Sequence, residues 1–119
     1  MASVLMETPS GIVAEMKTDG IKYRHYIITK HAIERYTQRA RNTLDNLFVA
    51  LDRAVLADAR QAKDHRIQQQ IRKSEMKGGY AMFDPETDVY FFMAVGQRLH
   101  TICTVMTREL MTYAECCGI

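Results

Sequence analysis

The chain has 119 residues, of which 47% are hydrophobic and 25% are charged, and its formal net charge is +2. This length and composition are typical of one globular domain that buries an ordinary core without disulfides. The longest apolar run is far shorter than the ~20 residues that span a bilayer, and the start lacks the features of a secretory signal. We therefore expect a single domain over residues 1–119, with 1–10 as a flexible tail, in a soluble cytoplasmic protein that contacts no membrane.

Cysteine and histidine positions predict neither a disulfide framework nor a zinc site. Cys103 lies in an apolar run, Cys116 and Cys117 are adjacent near the end, and no CxxC spacing occurs. The histidines are scattered along the chain at positions 25, 31, 65 and 100. We therefore expect no metal and no cofactor, although spacing alone says nothing about a histidine pair that folding brings together.

The charges are segregated along the chain. Residues 17–41 contain seven Lys/Arg and two acids, residues 60–77 contain six and two, and residues 78–119 contain two and five. A basic middle and an acidic end suit an anionic partner such as RNA or DNA, while the modest total argues against dominant nonspecific binding. The alternative interpretation is that these charges only form solvated faces.

Two strands are predicted near the start, over residues 12–17 and 21–28. Asp19-Gly20 between them is typical of a type I′ hairpin turn. The alternation of side chains predicts that one face of this hairpin meets the core: Ile12, Ala14, Met16, Tyr23, His25 and Ile27. His25 is the polar exception on that face, and we assign it a structural hydrogen bond at the sheet edge.

A short helix is predicted to begin at Lys30. Thr29 is a suitable N-cap, and Ile28 before the cap is placed to pack against Ile33 as a hydrophobic staple. The helical period then divides the following residues into an apolar side and a donor-rich polar side. The polar side is made of His31, Arg35, Gln38 and Arg39.

A second helix is predicted after Asn42 or Thr43, either of which is a suitable cap. Its apolar positions recur at helical spacing through Leu51 and Val55, and no Gly or Pro interrupts residues 42–77. The pattern thus predicts a helix that ends at about Ala59 or continues through Ile67 and Ile71. The apolar signal fades after Ala59. We expect a break or a looser segment over residues 60–77, because its glutamines and charges have little to bury.

Three strands are predicted after Gly78-Gly79, over residues 80–83, 89–95 and 99–107, with turns at 84–88 and 96–97. The middle strand is almost wholly apolar, so it belongs in the centre of a sheet with a helix on at least one face. The predicted fold class is α+β: an N-terminal β-hairpin, two helices, then a three-stranded antiparallel meander, forming one curved sheet with helices packed on it.

Two segments carry a family resemblance. Residues 30–35 read Lys-His-Ala-Ile-Glu-Arg with Arg39 one turn further, and residues 104–108 read Thr-Val-Met-Thr-Arg. Over residues 27–108 the chain resembles small bacterial and phage proteins of the RelE/BrnT-like group, which often open their first helix in this way and are typically metal-independent ribonuclease toxins. The resemblance implies RNA as the target. The chain departs from the pattern in its long hairpin, its basic segment at 60–77 and its modest positive charge.

Metal-independent RNA cleavage requires a base for the 2′-hydroxyl, an acid for the leaving oxygen and cations for the phosphate. We predict His31 as one proton-transfer group and His100, near the start of the last strand, as the second. Arg35 completes the predicted catalytic set by gripping the phosphate. The predicted substrate-binding residues are Lys30, Arg39, Tyr36 and Arg108, of which the tyrosine would stack on a base.

Each of these residues also has a structural interpretation. His31 would bond nearby backbone, Arg35 and Arg39 would pair with carboxylates, and Tyr36 would belong to the core. Two other functions stay open: a phage or mobile-element inhibitor that docks on a host enzyme or defence complex through a charged surface, and a homodimer formed through an exposed sheet edge.

Overall fold

The structure, a computed structural model, describes residues 4–7, 11, 13–17, 19–62 and 64–107. These residues form an α+β fold, which confirms the predicted class. The helices are α1 (Lys30–Arg39), α2 (Leu44–Arg53) and α3 (His65–Met76). The strands are β1 (Val4–Glu7), β2 (Val13–Lys17), β3 (Gly20–Tyr23), β4 (Tyr26–Thr29), β5 (Val55–Leu56), β6 (Tyr80–Asp84), β7 (Val89–Val95) and β8 (His100–Thr107).

The strands form one mixed sheet in the order β1-β2-β3-β4-β8-β7-β6-β5. Consecutive strands β6, β7 and β8 are antiparallel neighbours, as the predicted meander requires. The hairpin and the meander are joined by an unpredicted parallel pair, β4 and β8, in which Tyr26 lies opposite His100 and Ile28 opposite Ile102. This parallel pair brings residues from the two halves of the chain together.

The N-terminal part of the sheet differs from the predicted hairpin. Residues 4–7, predicted to lie in a flexible tail, form β1 and pair with β2. The predicted strand over 21–28 is divided into β3 and β4 by a turn at Arg24-His25, where Arg24 has a φ of 54°. The division lets the chain reverse, so β4 pairs with both β3 and β8. His25 therefore lies in an exposed turn and not on the core face.

Gly20 is the first residue of β3 and not the second residue of the turn. It pairs with Lys17 across one ladder and with Thr29 across the other. A Cβ added at Gly20 would lie 2.0 Å from the carbonyl oxygen of Ile28, which is closer than any side chain can approach. The glycine is therefore required by the close approach of β3 and β4.

Gly20→Ala is expected to destabilise the fold by about 1–3 kcal/mol, since the added methyl group must push β3 away from β4. Urea unfolding measures the effect. Lys22→Ala, a half-exposed position on the same strand, is the matched control and is expected to leave the midpoint nearly unchanged. A Gly20→Ala midpoint equal to that of wild type would show that the two strands are not held at this separation.

Helices α1 and α2 begin where the sequence predicts. The Thr29 hydroxyl accepts a hydrogen bond from the N–H of Ala32 at 3.1 Å, and the Thr43 hydroxyl caps α2 in the same way. Helix α2 ends at Arg53, earlier than predicted, because the next residues pair with β6 as the edge strand β5. No helix among the described residues is long and apolar enough to cross a membrane.

The expectation of a break or a looser segment over residues 60–77 holds only in part: the chain breaks after α2, but residues 65–76 form the helix α3. The Asp64 carboxylate accepts hydrogen bonds from the N–H groups of Arg66 and Ile67, and so caps the helix. Ile67 and Ile71, one turn apart, are completely buried. Two well-placed isoleucines are enough to dock a helix that is otherwise polar, because a second face of the sheet is available to it.

The core lies on both faces of the sheet. Helices α1 and α2 cover one face, where Phe91 is buried, and α3 covers the other, where Phe92 is buried. Adjacent residues of a strand point to opposite faces, so a nearly continuous apolar run is what a doubly covered strand requires. The predicted placement of β7 in mid-sheet with helical cover is confirmed, and the structure adds cover on the second face.

Candidate functional site

Three of the predicted residues lie on one exposed side of α1, and we call them the α1 cation row: His31, Arg35 and Arg39. They are separated by four residues each, so they follow one another along the helix. The Arg35 Nε donates a hydrogen bond to Nε2 of His31 at 3.5 Å, and its Nη1 donates to Gln38 at 3.5 Å. The sequence prediction that these residues share a face is confirmed.

Arg39 is anchored to the sheet. Its Nη1 donates to the carbonyl oxygen of Val105 at 2.8 Å, on the part of β8 beyond Ile102, the last residue that pairs with β4. Burial lowers the pKa of Arg39, and the neighbouring charge of Arg35 lowers it further. The two guanidinium groups therefore repel each other, and the repulsion is greater because one of them is partly desolvated. A bound anion would relieve this repulsion.

The α1 cation row differs from the paired arginines that the structure describes elsewhere. Elsewhere in the described part of the chain, arginines are held by aspartates at 2.9 Å in three pairs: Arg24–Asp52, Arg53–Asp84 and Arg60–Asp58. No salt bridge joins Arg35 or Arg39 to a carboxylate among the residues that the structure describes. Lys30 is exposed at the start of the same helix and adds to its positive charge. The N–H groups of the two arginines that do not bond to His31, Gln38 or Val105 are thus available to an external anion.

Two predicted substrate-binding residues do not join the row. Tyr36 is completely buried and its ring stacks near Phe91, with centroids 6.4 Å apart. Burial raises the pKa of Tyr36 to about 12. The prediction that it stacks on a base is wrong, because the ring lies inside the core. Arg108 lies outside the described residues.

His100 does not meet His31. It lies opposite Tyr26, the first residue of β4, whereas His31 comes two residues after Thr29, the last residue of that strand. The two positions are separated by the length of β4, about 10 Å at the usual rise per residue. The two predicted proton-transfer groups therefore start from opposite ends of β4.

A second group of side chains lies at the end of the sheet that contains His100. We call it the histidine–tyrosine cluster: His25, Tyr26, Tyr80 and His100. The two imidazole rings are 5.7 Å apart between centroids, at 81°. The Tyr80 hydroxyl is hydrogen-bonded to Nδ1 of His100 at 2.5 Å, and His25 packs on the Tyr26 ring with centroids 3.9 Å apart. Burial raises the pKa of both tyrosines, so they remain protonated at neutral pH.

Sequence reasoning missed this cluster. The predicted strand over 21–28 placed His25 on the core face, and no local pattern indicated that β4 and β8 are parallel neighbours. The turn before Tyr26 and the pairing of Tyr26 with His100 together bring the imidazoles into contact. The sequence gives only two weak signals of this cluster. One histidine lies in a two-residue turn, and the other lies near the start of a strand.

The cation beside the cluster is already neutralised. Arg24 donates from Nε to Asp52 at 2.9 Å, and the Tyr23 hydroxyl donates to the same carboxylate at 2.6 Å. Burial raises the pKa of Tyr23, and the hydrogen bond to Asp52 raises it further. The histidine–tyrosine cluster therefore has two imidazoles beside an arginine that is already paired with Asp52, in contrast to the α1 cation row.

A groove of about 700 Å³ lies between the segment after β5 and helix α3. Its charged lining contains two arginines and two acids: Asp58, Arg60, Arg72 and Glu75. Because the signs balance and Arg60 is paired with Asp58, this groove offers no concentrated charge for an anion.

The chain matches no family model, no curated protein and no solved structure. The RelE/BrnT-like resemblance thus stays a prediction that rests on residues 30–39 and 104–108.

Proposed function

We propose that this protein binds the phosphate backbone of RNA through the α1 cation row. One observation carries the proposal: Arg35 and Arg39 lie side by side on α1, and neither is paired with a carboxylate in the described part of the chain. Two like charges one helical turn apart repel each other modestly, and a bound anion offsets this repulsion. Guanidinium donors match the oxygens of a phosphate, often in bidentate fashion.

The arrangement also favours a preorganised site. Arg39 is fixed by Val105 and Arg35 lies between His31 and Gln38, so little side-chain freedom is lost on binding. Phosphate contacts of this kind supply affinity but no base specificity. The choice of RNA over DNA rests on the resemblance of residues 30–35 to the RelE/BrnT-like opening.

Arg35→Ala is expected to weaken binding of a fluorescent single-stranded RNA by about 10- to 100-fold, the usual value of a charge-assisted hydrogen bond set. Anisotropy titrations at several salt concentrations measure it, and the slope of log K against log salt should fall by about 0.7 for one lost phosphate contact. The matched control is Arg60→Ala, which makes the same charge change at a carboxylate-paired site. Equal losses of RNA affinity in Arg35→Ala and Arg60→Ala would contradict specific binding of RNA at the α1 cation row.

The same samples test the endoribonuclease and inhibitor alternatives. Cleavage of the RNA by wild type that His31→Ala abolishes, with binding retained, would extend the proposal to a RelE/BrnT-like toxin-type endoribonuclease. That mechanism would need a partner for His31 other than His100, since the two lie at opposite ends of β4. If RNA and DNA both fail to bind, the proposal is wrong, and a phage-type inhibitor that docks on a host protein through this charged face becomes the better explanation.

A further inference from the structure

Two histidines that are 75 positions apart in the sequence meet at the surface of the sheet. The N–H of His100 donates to the carbonyl oxygen of His25 at 2.9 Å, and the adjacent Tyr26 pairs with His100 in the ladder. Backbone hydrogen bonds thus hold both Cα positions, and the ring centroids lie 5.7 Å apart. We propose that His25 and His100 form a two-histidine binding site for a divalent transition-metal ion, of the class of Cu²⁺ and Zn²⁺.

The separation of the two rings suits a shared ion. Imidazole nitrogen binds zinc at about 2.0–2.1 Å, so each ring centre lies about 3.2 Å from the metal. Two such ring centres are about 5.2 Å apart at a tetrahedral angle and about 6.4 Å apart in a linear arrangement. The observed 5.7 Å falls between these limits. The angle of 81° between the rings is compatible with both, because each ring can rotate about its bond to the metal.

Tyr80 prepares His100 for this role. Its hydroxyl occupies Nδ1 of His100, which leaves Nε2 as the free nitrogen of that ring. Metal-binding histidines usually hydrogen-bond through the nitrogen that does not touch the metal, and this bond sets the tautomer and the ring orientation. When Nδ1 carries the hydrogen and donates it to the Tyr80 oxygen, the lone pair of Nε2 is available. The His25 ring packs against the Tyr26 ring, which limits its movement.

Water completes the coordination in this proposal. Among the residues that the structure describes, no group of three or more His, Cys, Asp or Glu side chains converges. Asp52 nearby is held by Arg24 and Tyr23. Two imidazoles with open positions favour ions in the order of the Irving–Williams series, so Cu²⁺ is expected to bind more tightly than Zn²⁺. Exposed His25 also leaves an entry path for the ion.

A calorimetric titration with CuCl₂ tests the site. The untagged full-length chain carries serine at Cys103, Cys116 and Cys117, which removes competing thiols. One ion is expected to bind per chain, and His25→Ala is expected to weaken its binding at least about tenfold. His65→Ala, at an exposed histidine of α3, is the matched control and is expected to leave the affinity unchanged. Copper affinity that is the same with and without His25 overturns the proposal.

Electron paramagnetic resonance of the copper complex provides a second measurement, and its wild-type spectrum tests the site without any variant. Two coordinated imidazole nitrogens are expected in the wild-type spectrum and one in His25→Ala. A wild-type spectrum without imidazole nitrogen would overturn the site even if copper binds. Because neither measurement contains RNA, its outcome is independent of the RNA-binding proposal.

Discussion

Asp84→Ala is expected to destabilise the fold by about 1.5–3 kcal/mol, the usual value of hydrogen bonds to a charged group. The Asp84 side chain is completely buried and accepts two hydrogen bonds from Arg53, at 3.3 and 2.9 Å. The Thr87 hydroxyl and the N–H of Glu86 donate to the same carboxylate. The aspartate thus ties the end of α2 to the β6–β7 turn, and its loss leaves several donors without an acceptor.

Urea unfolding at neutral pH measures this effect. Glu86→Ala is the matched control, since Glu86 forms an exposed ion pair with the same arginine at 2.8 Å. Exposed pairs contribute about 0–1 kcal/mol, so the control should shift the midpoint only slightly. If both variants cost the same, Asp84 does not hold the turn in the way that its contacts indicate.

The same network makes stability depend on pH. Burial alone would raise the pKa of Asp84, but the hydrogen bonds from Arg53, Thr87 and Glu86 outweigh it and lower the pKa. A carboxyl whose pKa is depressed by folding contributes stability above its unfolded pKa, and this contribution is lost as the pH falls below about 4. Asp84→Asn is expected to flatten this acid limb of a plot of unfolding free energy against pH. If the acid limb is unchanged in Asp84→Asn, the loss of stability at low pH arises from other carboxyl groups.

Phe91→Ala and Phe92→Ala are each expected to cost about 3–5 kcal/mol, because each ring is almost completely buried. The two substitutions should destabilise different parts of the structure. Phe91 packs with α1 and α2, whereas Phe92 packs with the isoleucines of α3. Hydrogen exchange is therefore expected to show lost protection in α3 amides for the second variant, beyond what global destabilisation explains.

A volume-conserving control is available at the same positions. Phe91→Leu and Phe92→Leu keep most of the apolar contact and are expected to cost less than the alanine variants. If Phe92→Ala and Phe91→Ala lower the protection of α3 to the same extent, the sheet does not separate two helical layers. The experiment then argues against α3 as an independently docked element.

The proposed functions lie at opposite ends of β4. The α1 cation row follows its last residue, and the histidine–tyrosine cluster surrounds its first. The first surface offers guanidinium donors that no carboxylate in the described part of the chain pairs with, and the second offers imidazoles beside an arginine that is already paired. Because the charges at the two ends are paired differently, we propose a different ligand for each end.

Local chemistry in the sequence was enough to predict much of the fold. Thr29 and Thr43 cap their helices because a threonine hydroxyl needs only the next turn to accept a hydrogen bond. The apolar run of β7 and the turn before it identified the central strand without knowledge of its neighbours. The helical period also placed His31, Arg35 and Arg39 on one face, since that face depends only on spacing.

Tertiary structure alone decided which segments became neighbours. Parallel pairing of β4 with β8 separated His100 from His31 and brought it to His25, and no local pattern specifies that pairing. Docking on the second face of the sheet made α3 a helix despite its polar composition. The amino-acid sequence by itself therefore determined the caps, the periods and the cation row, which depend on residues a few positions apart. The histidine pair depends on contacts between distant segments. These contacts stabilise the protein only after the sheet has formed.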